Sequence, residues 1–520
     1  MEISKNRGKV LWIDDEIQHL KPHILFLEKK GYSVSKATNG NDGIEILKKN
    51  TFSLVLLDQS MSGIDGLETL KEIRRINSSI PVIMITKTED EWLMDEAITG
   101  QIEQFLIKPV NPSQILMACK QVLEKNKLGE QKAASDYLKE FQKIELRLQS
   151  DLSIDEWWEV YNSLVDYQIA FDAYKDTGLN SILDEQIQTC NRQFTSFINK
   201  NYKNWIFSNK RPILSVDVIS KFVVPYLKND EKICLIVIDC LRLDQFKSMM
   251  PILEHMFNIV LDYKISLLPT ATPYSRNAIF SGMFADEMVN NYPEQGRMMS
   301  ENTSSLNQFE DQFLNDQLKK FSLRDKIIHY HKIWAVDEGI KIKNRIQDFM
   351  RKDMLAFVIN FVDILAHNSS QSNLLKEMVP DESGYRKVVK TWLENSWLIN
   401  VLEKLRDNNF KVIITSDHGS IRVKKDVMVA ADKDASTGVR YKYGRNIKTN
   451  DRNALVIDRP DEYKLPVFGQ QPTYIIAKND VFFVYPNQAN KYLYKYKNSF
   501  QHGGISMEEL LVPIATLTPR

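Results

Sequence analysis

Lys9-Val-Leu-Trp-Ile13 runs straight into Asp14-Asp15-Glu16, so a short apolar strand ends on two adjacent carboxylates. Four further runs follow at intervals that leave room for helices: Tyr32-Ser-Val-Ser-Lys36, Ser53-Leu-Val-Leu-Leu57, Pro81-Val-Ile-Met-Ile85 and Gln104-Phe-Leu-Ile-Lys108. Alternation of short β-branched runs with helical periods predicts a parallel, doubly wound α/β sheet, because parallel strands need crossover helices. Ligands of such sheets sit beyond the carboxyl ends of the strands. Asp14, Asp15, Asp58, Thr86 and Lys108 all fall there.

Outward from this segment the pattern changes. From Glu124 to Trp205 there is no proline, glycine occurs only at Gly129 and Gly178, and apolar residues recur three and four apart. That spacing predicts a helical bundle. Trp157-Trp158, Tyr161, Tyr167, Phe171 and Tyr174 are expected in its buried seams, the other reading being a surface for a second protomer. A second α/β region starts near 206, with strands over 232–239, 354–363 and 410–417 that each end in aspartate: Asp239, Asp363 and Asp417. The polar, Asn/Gln-rich stretch 287–351 reads as a helical insertion or cap, and Thr473 to Pro486 as a hairpin turning at Lys478-Asn479-Asp480. The expected domains are therefore 1–125, 126–205 and 206–520, about what 520 residues allow.

Composition narrows the function classes. Lys plus Arg equals 68 and so does Asp plus Glu, which argues against whole-surface binding to nucleic acid or anionic lipid and leaves only a local basic groove. Cys119, Cys190, Cys234 and Cys240 lack the spacing of a disulfide frame or a zinc knuckle, so reduced structural thiols are expected. No apolar stretch of signal-peptide length opens the chain, and the longest nearly apolar stretch, Ala356 to Ala366, is broken by Asn360 and Asp363. A cytoplasmic location without a membrane span is the expectation.

Two acids after the first strand and one after the third can share a Mg²⁺, a cation that favours carboxylate oxygens, water and phosphate. Asp58 could then attack a phosphoryl donor, with Lys108 pairing with the acyl phosphate and Thr86 hydrogen-bonding to it. In order and spacing, Asp14-Asp15, Leu57-Asp58, Met61-Ser62-Gly63-Ile64-Asp65-Gly66, Thr86 and Lys108-Pro109 resemble a response-regulator receiver domain over 8–125. The resemblance implies a flavodoxin-like fold, phosphorylation of Asp58 by a sensor histidine kinase, and a switch made by Thr86, Phe105 and Lys108. It also implies pairing of two phosphorylated copies into a homodimer. Two positions depart from the family pattern, Ser62 for the usual proline and Lys87 for the usual small residue, and both bear on the lifetime of the phosphoryl group.

Of eight histidines, His19, His23, His255, His329 and His331 have no acidic partner in an interpretable spacing; the other three, all in the C-terminal half, do. Asp363-Ile-Leu-Ala-His367 puts a carboxylate and an imidazole on one turn after a strand. Asp417-His418 ends another strand, followed by Gly419, which would let backbone approach an ion closely. With His502 and Asp239 the set has six ligands of mixed oxygen and nitrogen type, enough for two Zn²⁺-like ions with open positions. Paired ions of this kind serve phosphoryl transfer, and Pro269-Thr270-Ala271-Thr272-Pro273 offers two hydroxyl nucleophiles.

These motifs, with Asp239-Cys-Leu-Arg242-Leu-Asp244, resemble the PglZ branch of the alkaline phosphatase superfamily across 232–515. The resemblance implies that Asp363, His367 and His502 hold one zinc and Asp239, Asp417 and His418 the other. Thr272 aligns with the nucleophile, and Thr270 is the fallback. Asn277 and Arg242 are weaker candidates for phosphate contacts, since each could equally be an exposed capping residue. A receiver, a bundle and a PglZ domain in this order resemble the PorX-type regulators of type IX secretion, which implies sigma-factor or secretion-system partners.

The expected function is a two-component response regulator whose output is a zinc-dependent phosphodiesterase or phosphatase acting on nucleotide-like phosphoesters. Its rival is a phosphorylation-switched interaction protein with a structural metal site. A DNA-binding regulator has no helix-turn-helix signal behind it. Lys491-Tyr-Leu-Tyr-Lys-Tyr-Lys497 bears on substrate: on a strand, lysines would line one face and tyrosines the other, which suits a short oligonucleotide or cyclic nucleotide, or simply an amphipathic strand.

Overall fold

β1 (Gly8–Ile13), β2 (Tyr32–Ala37), β3 (Leu54–Asp58), β4 (Val82–Thr86) and β5 (Gln104–Ile107) form one sheet in the order β2-β1-β3-β4-β5, every pairing parallel. The computed structural model describes residues 7–77, 79–87, 102–174, 178–301, 307–369, 377–432, 436, 438–467 and 471–520. The chain divides into two units, Met1–Glu140 and Phe141–Arg520.

In the first unit β3 and β4 are buried along their whole length, as continuous apolar runs require when helices cover both faces. Ile24 and Leu27 of helix Lys21–Lys29, with Ile115, Ala118 and Cys119 of helix Pro112–Arg147, fill one face. Leu47 of helix Gly40–Lys49 and Leu70 and Ile73 of helix Gly66–Ile76 fill the other. Strand order reverses between β1 and β3, and the crevice this opens lies at Asp14 and Asp58. Gly66 is fixed by a close approach: an added Cβ would lie 2.5 Å from the backbone oxygen of Asp58.

The second unit is built on a six-stranded mixed sheet. β6 (Ile233–Ile238), β8 (Ile328–Ile333), β9 (Met354–Ile359) and β10 (Lys411–Thr415) run parallel; the final strand, Leu511–Pro519, runs against them between β10 and the edge strand β7 (Phe257–Ile265), giving β7-final-β10-β6-β9-β8. β6 and β9 are wholly buried. Their carboxyl ends, with that of β10, carry Asp239, Asn360 and Asp417 side by side.

Helices Ile154–Phe171 and Leu179–Trp205 supply the expected helical segment, the first opened by a Ser153/Glu156 capping box. Trp157 packs edge-on against Phe194 at 5.5 Å, while Trp158 turns outward from that seam and stacks on Tyr263 of β7 at 5.0 Å. Polar ties complete the docking. Asn191 donates to both carboxylate oxygens of Glu508 at 3.2 and 2.9 Å. Arg386 grips Asp172 at the end of helix Ile154–Phe171 and reaches Asp244 at 3.0 Å; Asp244 in turn holds Arg242. The result is a run of alternating charge, Asp172-Arg386-Asp244-Arg242, buried but for the part-exposed Asp172.

Three local expectations are corrected. Thr473–Ala477 and Val481–Val484 do not form a hairpin: the first pairs with Tyr441–Gly444 and Ala454–Ile457, the second with Lys425–Met428, because Asn479 turns the chain with φ 53° and its N–H donates to the oxygen of Ile505. Lys491 to Lys497 is no strand. Helix Ala489–Tyr496 sets Tyr492, Leu493 and Tyr496 against the cluster around Phe482 and leaves Tyr494 87% exposed. The stretch 287–351 is helical over Pro293–Glu301, Glu310–Lys320 and Val336–Phe349, but its middle enters the main sheet as β8. Among the described residues no helix is long and apolar enough to cross a membrane, and all four cysteines are buried and free.

Candidate metal centre and phosphoacceptor

In the first unit the carboxylates of Asp14, Asp15 and Asp58 converge, with ligand atoms within 4.8 Å of one another. Lys108, at the end of β5, donates to Asp58 Oδ2 at 2.9 Å and to Asp14 Oδ2 at 3.2 Å. Burial raises the Asp58 carboxyl above its ordinary range, and the Lys108 hydrogen bond offsets only part of that rise. Asp58 Oδ1 is buried with no hydrogen-bond partner among the described residues, as a carboxylate awaiting a cation would be. The Thr86 hydroxyl donates to Gln59 Oε1. Phe105 is part-buried against the cluster that holds Met84 and Leu57.

In the second unit two three-ligand sets lie side by side. Helix Phe361–Ser369 follows β9 directly, so Asp363 in its first turn and His367 one turn on share a face, with Oδ1 to Nε2 at 3.3 Å. His502 Nε2 lies 3.2 Å from His367 Nε2 and 3.6 Å from Asp363 Oδ1. In the other set His418 Nε2 is 3.6 Å from Asp417 Oδ2 and 3.8 Å from Asp239 Oδ1, all three buried. The rings of His418 and His502 stack at 4.2 Å and join the two sets.

The donor atoms are oriented from behind. His418 Nδ1 meets Gly419 O at 3.0 Å and His502 Nδ1 meets Thr270 O at 3.3 Å, which turns both Nε2 atoms toward the cluster. Asp417 Oδ1 accepts from the backbone N–H groups of Cys240 and His418 at 3.2 and 3.0 Å, while its Oδ2 is buried with no hydrogen bond among the described residues. Three carboxylates and three imidazoles whose ligand atoms converge in two sets of three fit divalent cations of the zinc type. Gly419 also permits a close approach elsewhere: an added Cβ would meet the backbone oxygen of Glu508 at 1.9 Å.

Electrostatics of the six groups reflect their crowding. Burial, then the neighbouring Asp417, hold the Asp239 carboxyl well above its ordinary value against the pull of Arg276. Asp417 and Asp363 go the other way: burial would raise both, but His418 and Arg276 lower the first, and His367 and His502 the second. Hydrogen bonding to Asp363 raises His367, whereas burial and the His418 ring bring His502 down to about 3. A neutral His502 keeps its lone pair free for a cation.

Thr272 is the first residue of helix Thr272–Ser281; its Oγ1 lies 3.1 Å from His418 Nε2 and 3.5 Å from Asp239 Oδ1. Thr270 is spoken for, donating to Gly504 O at 2.8 Å and accepting from Gly503 N at 3.1 Å. Asn277 and Arg242 are both buried, so neither is an exposed cap. Asn277 donates to Pro273 O at 3.0 Å and accepts from Asn307 at 2.9 Å. The Arg242 guanidinium is bound two-pronged to Asp244 between the rings of Phe500 and Tyr385, which commits it to that carboxylate instead of to a phosphate. Sequence reasoning missed Arg276, 1% exposed, whose Nη1 donates to Asp239 Oδ2 at 2.5 Å and to Asn360 Oδ1 at 3.0 Å and whose Nε donates to Glu310 at 2.6 Å. Its position four residues beyond Thr272, on the same helix face, was the available signal.

Comparison with known proteins covers most of the chain. Residues 218–517 match the BREX-system PglZ alkaline phosphatase-like domain, 10–120 the response regulator receiver domain and 127–206 the PorX response regulator linker domain. The transcriptional regulatory protein ZraR of Klebsiella oxytoca is 34% identical over 128 residues, 25% of this chain and 29% of that protein. ResD of Bacillus subtilis is 28% identical over 120 residues, 23% of this chain and 50% of its own length. The chain thus spans half or less of these curated relatives. A solved receiver domain protein from Clostridium thermocellum aligns with TM-score 0.22 and 28% identity over 23% of this chain and 98% of its own.

Proposed function

The chain belongs to the PglZ alkaline phosphatase-like family, carried in the PorX-type order of receiver, linker and PglZ domain, and from this we propose a two-component response regulator whose output is a zinc-dependent phosphodiesterase or phosphatase acting on nucleotide-like phosphoesters. The observation that carries the reading is the Thr272 hydroxyl, 3.1 Å from His418 and 3.5 Å from Asp239. Each set of three protein ligands leaves coordination positions open, as catalytic sites do and structural zinc sites do not.

Two Zn²⁺ ions bound there would lower the pKa of the hydroxyl and neutralise charge on the attacking and leaving oxygens. Thr272 Oγ1 loses its proton to solvent and bonds to phosphorus, and the ester oxygen departs on the opposite side. Water then cleaves the bond between Oγ1 and phosphorus, which restores the threonine and releases the product. Asp363, His367 and His502 would hold one ion and Asp239, Asp417 and His418 the other. Asn277 donates to Pro273 O within the first turn of the helix that carries Thr272.

In the receiver, Asp58 takes the phosphoryl group from a sensor histidine kinase, with Mg²⁺ held by Asp14, Asp15 and Asp58 and with Lys108 and Thr86 meeting the new charge. Domains of 1–125, 126–205 and 206–520 then act in a cytoplasmic regulator of type IX secretion, with a sigma factor or secretion-system component as partner. A nucleotide-like substrate, such as a short oligonucleotide or cyclic nucleotide, is supported by helix Ala489–Tyr496, which carries Lys491 and Lys495 together with Tyr494, 87% exposed. The test is hydrolysis of phosphomonoesters, cyclic dinucleotides and short oligonucleotides by zinc-loaded and chelator-stripped protein. Turnover confined to the loaded form is expected, and no turnover of any class would leave an interaction protein with a structural metal site.

A further inference from the structure

We propose that Arg276 is a positioning residue that decides which oxygen of Asp239 is offered to a cation. The inference rests on the two-metal reading above and deepens it.

The two oxygens of Asp239 have different surroundings. Oδ1 faces Thr272 Oγ1 at 3.5 Å and His418 Nε2 at 3.8 Å, whereas Oδ2 lies 2.5 Å from Arg276 Nη1. A carboxylate free to turn about its Cβ–Cγ bond presents either oxygen. A charge-assisted bond to a fixed guanidinium leaves one. The guanidinium is fixed on two further sides, Nη1 on Asn360 Oδ1 at 3.0 Å and Nε on Glu310 Oε1 at 2.6 Å. Glu310, fully buried at the start of helix Glu310–Lys320, also receives Lys332 at 3.0 Å and the Tyr330 hydroxyl. Asp239, Arg276, Glu310 and Lys332 thus alternate in charge from the cluster to β8, and the segment 287–351 supplies the anchor that holds the arginine still.

This arrangement serves a specific need. Asp239 and Asp417 are buried beside each other, and ions bind tightly only where the ligating oxygens are aimed. Arg276 supplies the compensating charge on the far side of Asp239 without occupying the inward lone pairs. A role in stability alone predicts that substitution melts the domain and weakens both cation sites alike. Positioning predicts loss at one site, since Asp363, His367 and His502 make no hydrogen bond to Arg276.

Zinc affinity of the full chain, titrated against a chromophoric chelator, tests the proposal, with thermal melting of the stripped proteins as the control on folding. Arg276→Gln should weaken one of two zinc sites by about 10–100-fold and leave the other unchanged. Arg276→Lys should fall between, because an ammonium keeps the charge but cannot span Asp239, Asn360 and Glu310 together. Wild-type affinity at both sites in either variant, or equal weakening of both, overturns the proposal. If Arg276→Gln does not fold, Arg276→Lys decides by the same criterion. A wild-type chain that takes up no zinc overturns the metal reading and this inference with it; a wild type that takes up two, beside an Arg276 variant of full affinity, overturns this inference alone.

Discussion

The hydroxyl of Thr272 stands 3.1 Å from Nε2 of His418, beside the buried ligand set of Asp239, Asp417 and His418. Thr272→Ala should therefore lower turnover by orders of magnitude and leave zinc content near wild type, because a neutral hydroxyl does little to hold the ions. Thr270→Ala strips partners from Gly504 O and Gly503 N and should cost about 1–3 kcal/mol of stability while sparing chemistry. Paired measurement of kcat and Tm separates them. An inactive Thr270→Ala beside an active Thr272→Ala would assign the nucleophile to the wrong threonine.

Elemental analysis of the protein purified without chelator should give close to two zinc ions per chain. Asp363→Ala and His502→Ala should each lose about one, since each belongs to the same three-ligand set. No tightly bound transition metal in the wild type would remove the basis for hydrolysis.

Asp58 should be the single phosphorylation site of the receiver. Labelling with acetyl phosphate and Mg²⁺ should vanish in Asp58→Ala and slow in Lys108→Ala, which loses the cation 2.9 Å from the acceptor. Labelling of Asp58→Ala at the wild-type level would defeat the assignment.

Phosphorylation should shift the chain from monomer toward dimer. In the structure the Thr86 hydroxyl is turned to Gln59; a phosphoryl group on Asp58 competes for it and for Lys108, and Phe105 then moves into the space released. Light scattering with and without beryllofluoride reads the change in mass. With Asp58 shown to be occupied, a constant mass across a wide concentration range would mean that the signal stays within one chain.

Arg440 and Glu509 form a fully buried two-pronged pair at 2.8 and 2.6 Å, and Glu509 also accepts from Gly504 N, two residues past His502. Arg440→Ala should cost about 3–5 kcal/mol, as removal of one partner of a buried pair does. Denaturant unfolding measures it, and a loss below about 1 kcal/mol, the size of a surface pair, would contradict the burial argument.

The parts legible in the sequence are those in which local spacing carries the chemistry. Asp14-Asp15, Asp58 and Lys108 each end a strand, and Asp363 and His367 share a helix turn, so residue number alone brings them together. Arg276 was illegible because its burial depends on Glu310 and Asn360, which approach it only through tertiary folding. Lys491–Lys497 misled for another reason: its alternation over seven residues also satisfies a helix in which Tyr492 and Tyr496, four apart, share the buried face. The segment Thr473 to Pro486 has the composition of a hairpin, yet its two strands find better partners elsewhere, in Tyr441–Gly444 and Lys425–Met428.

The charge run Asp172-Arg386-Asp244-Arg242 bears on how this molecule can be divided. A fragment beginning at 206 would keep both arginines and one aspartate, so Arg386 would lose both the Asp172 carboxylate and the helix that lies beside it. The output domain should therefore lose stability when excised at its family boundary or grafted behind an unrelated linker. Residues 141–520 should melt at a higher temperature than 206–520, and a transplanted linker should restore the difference only if it brings an acid to the place of Asp172.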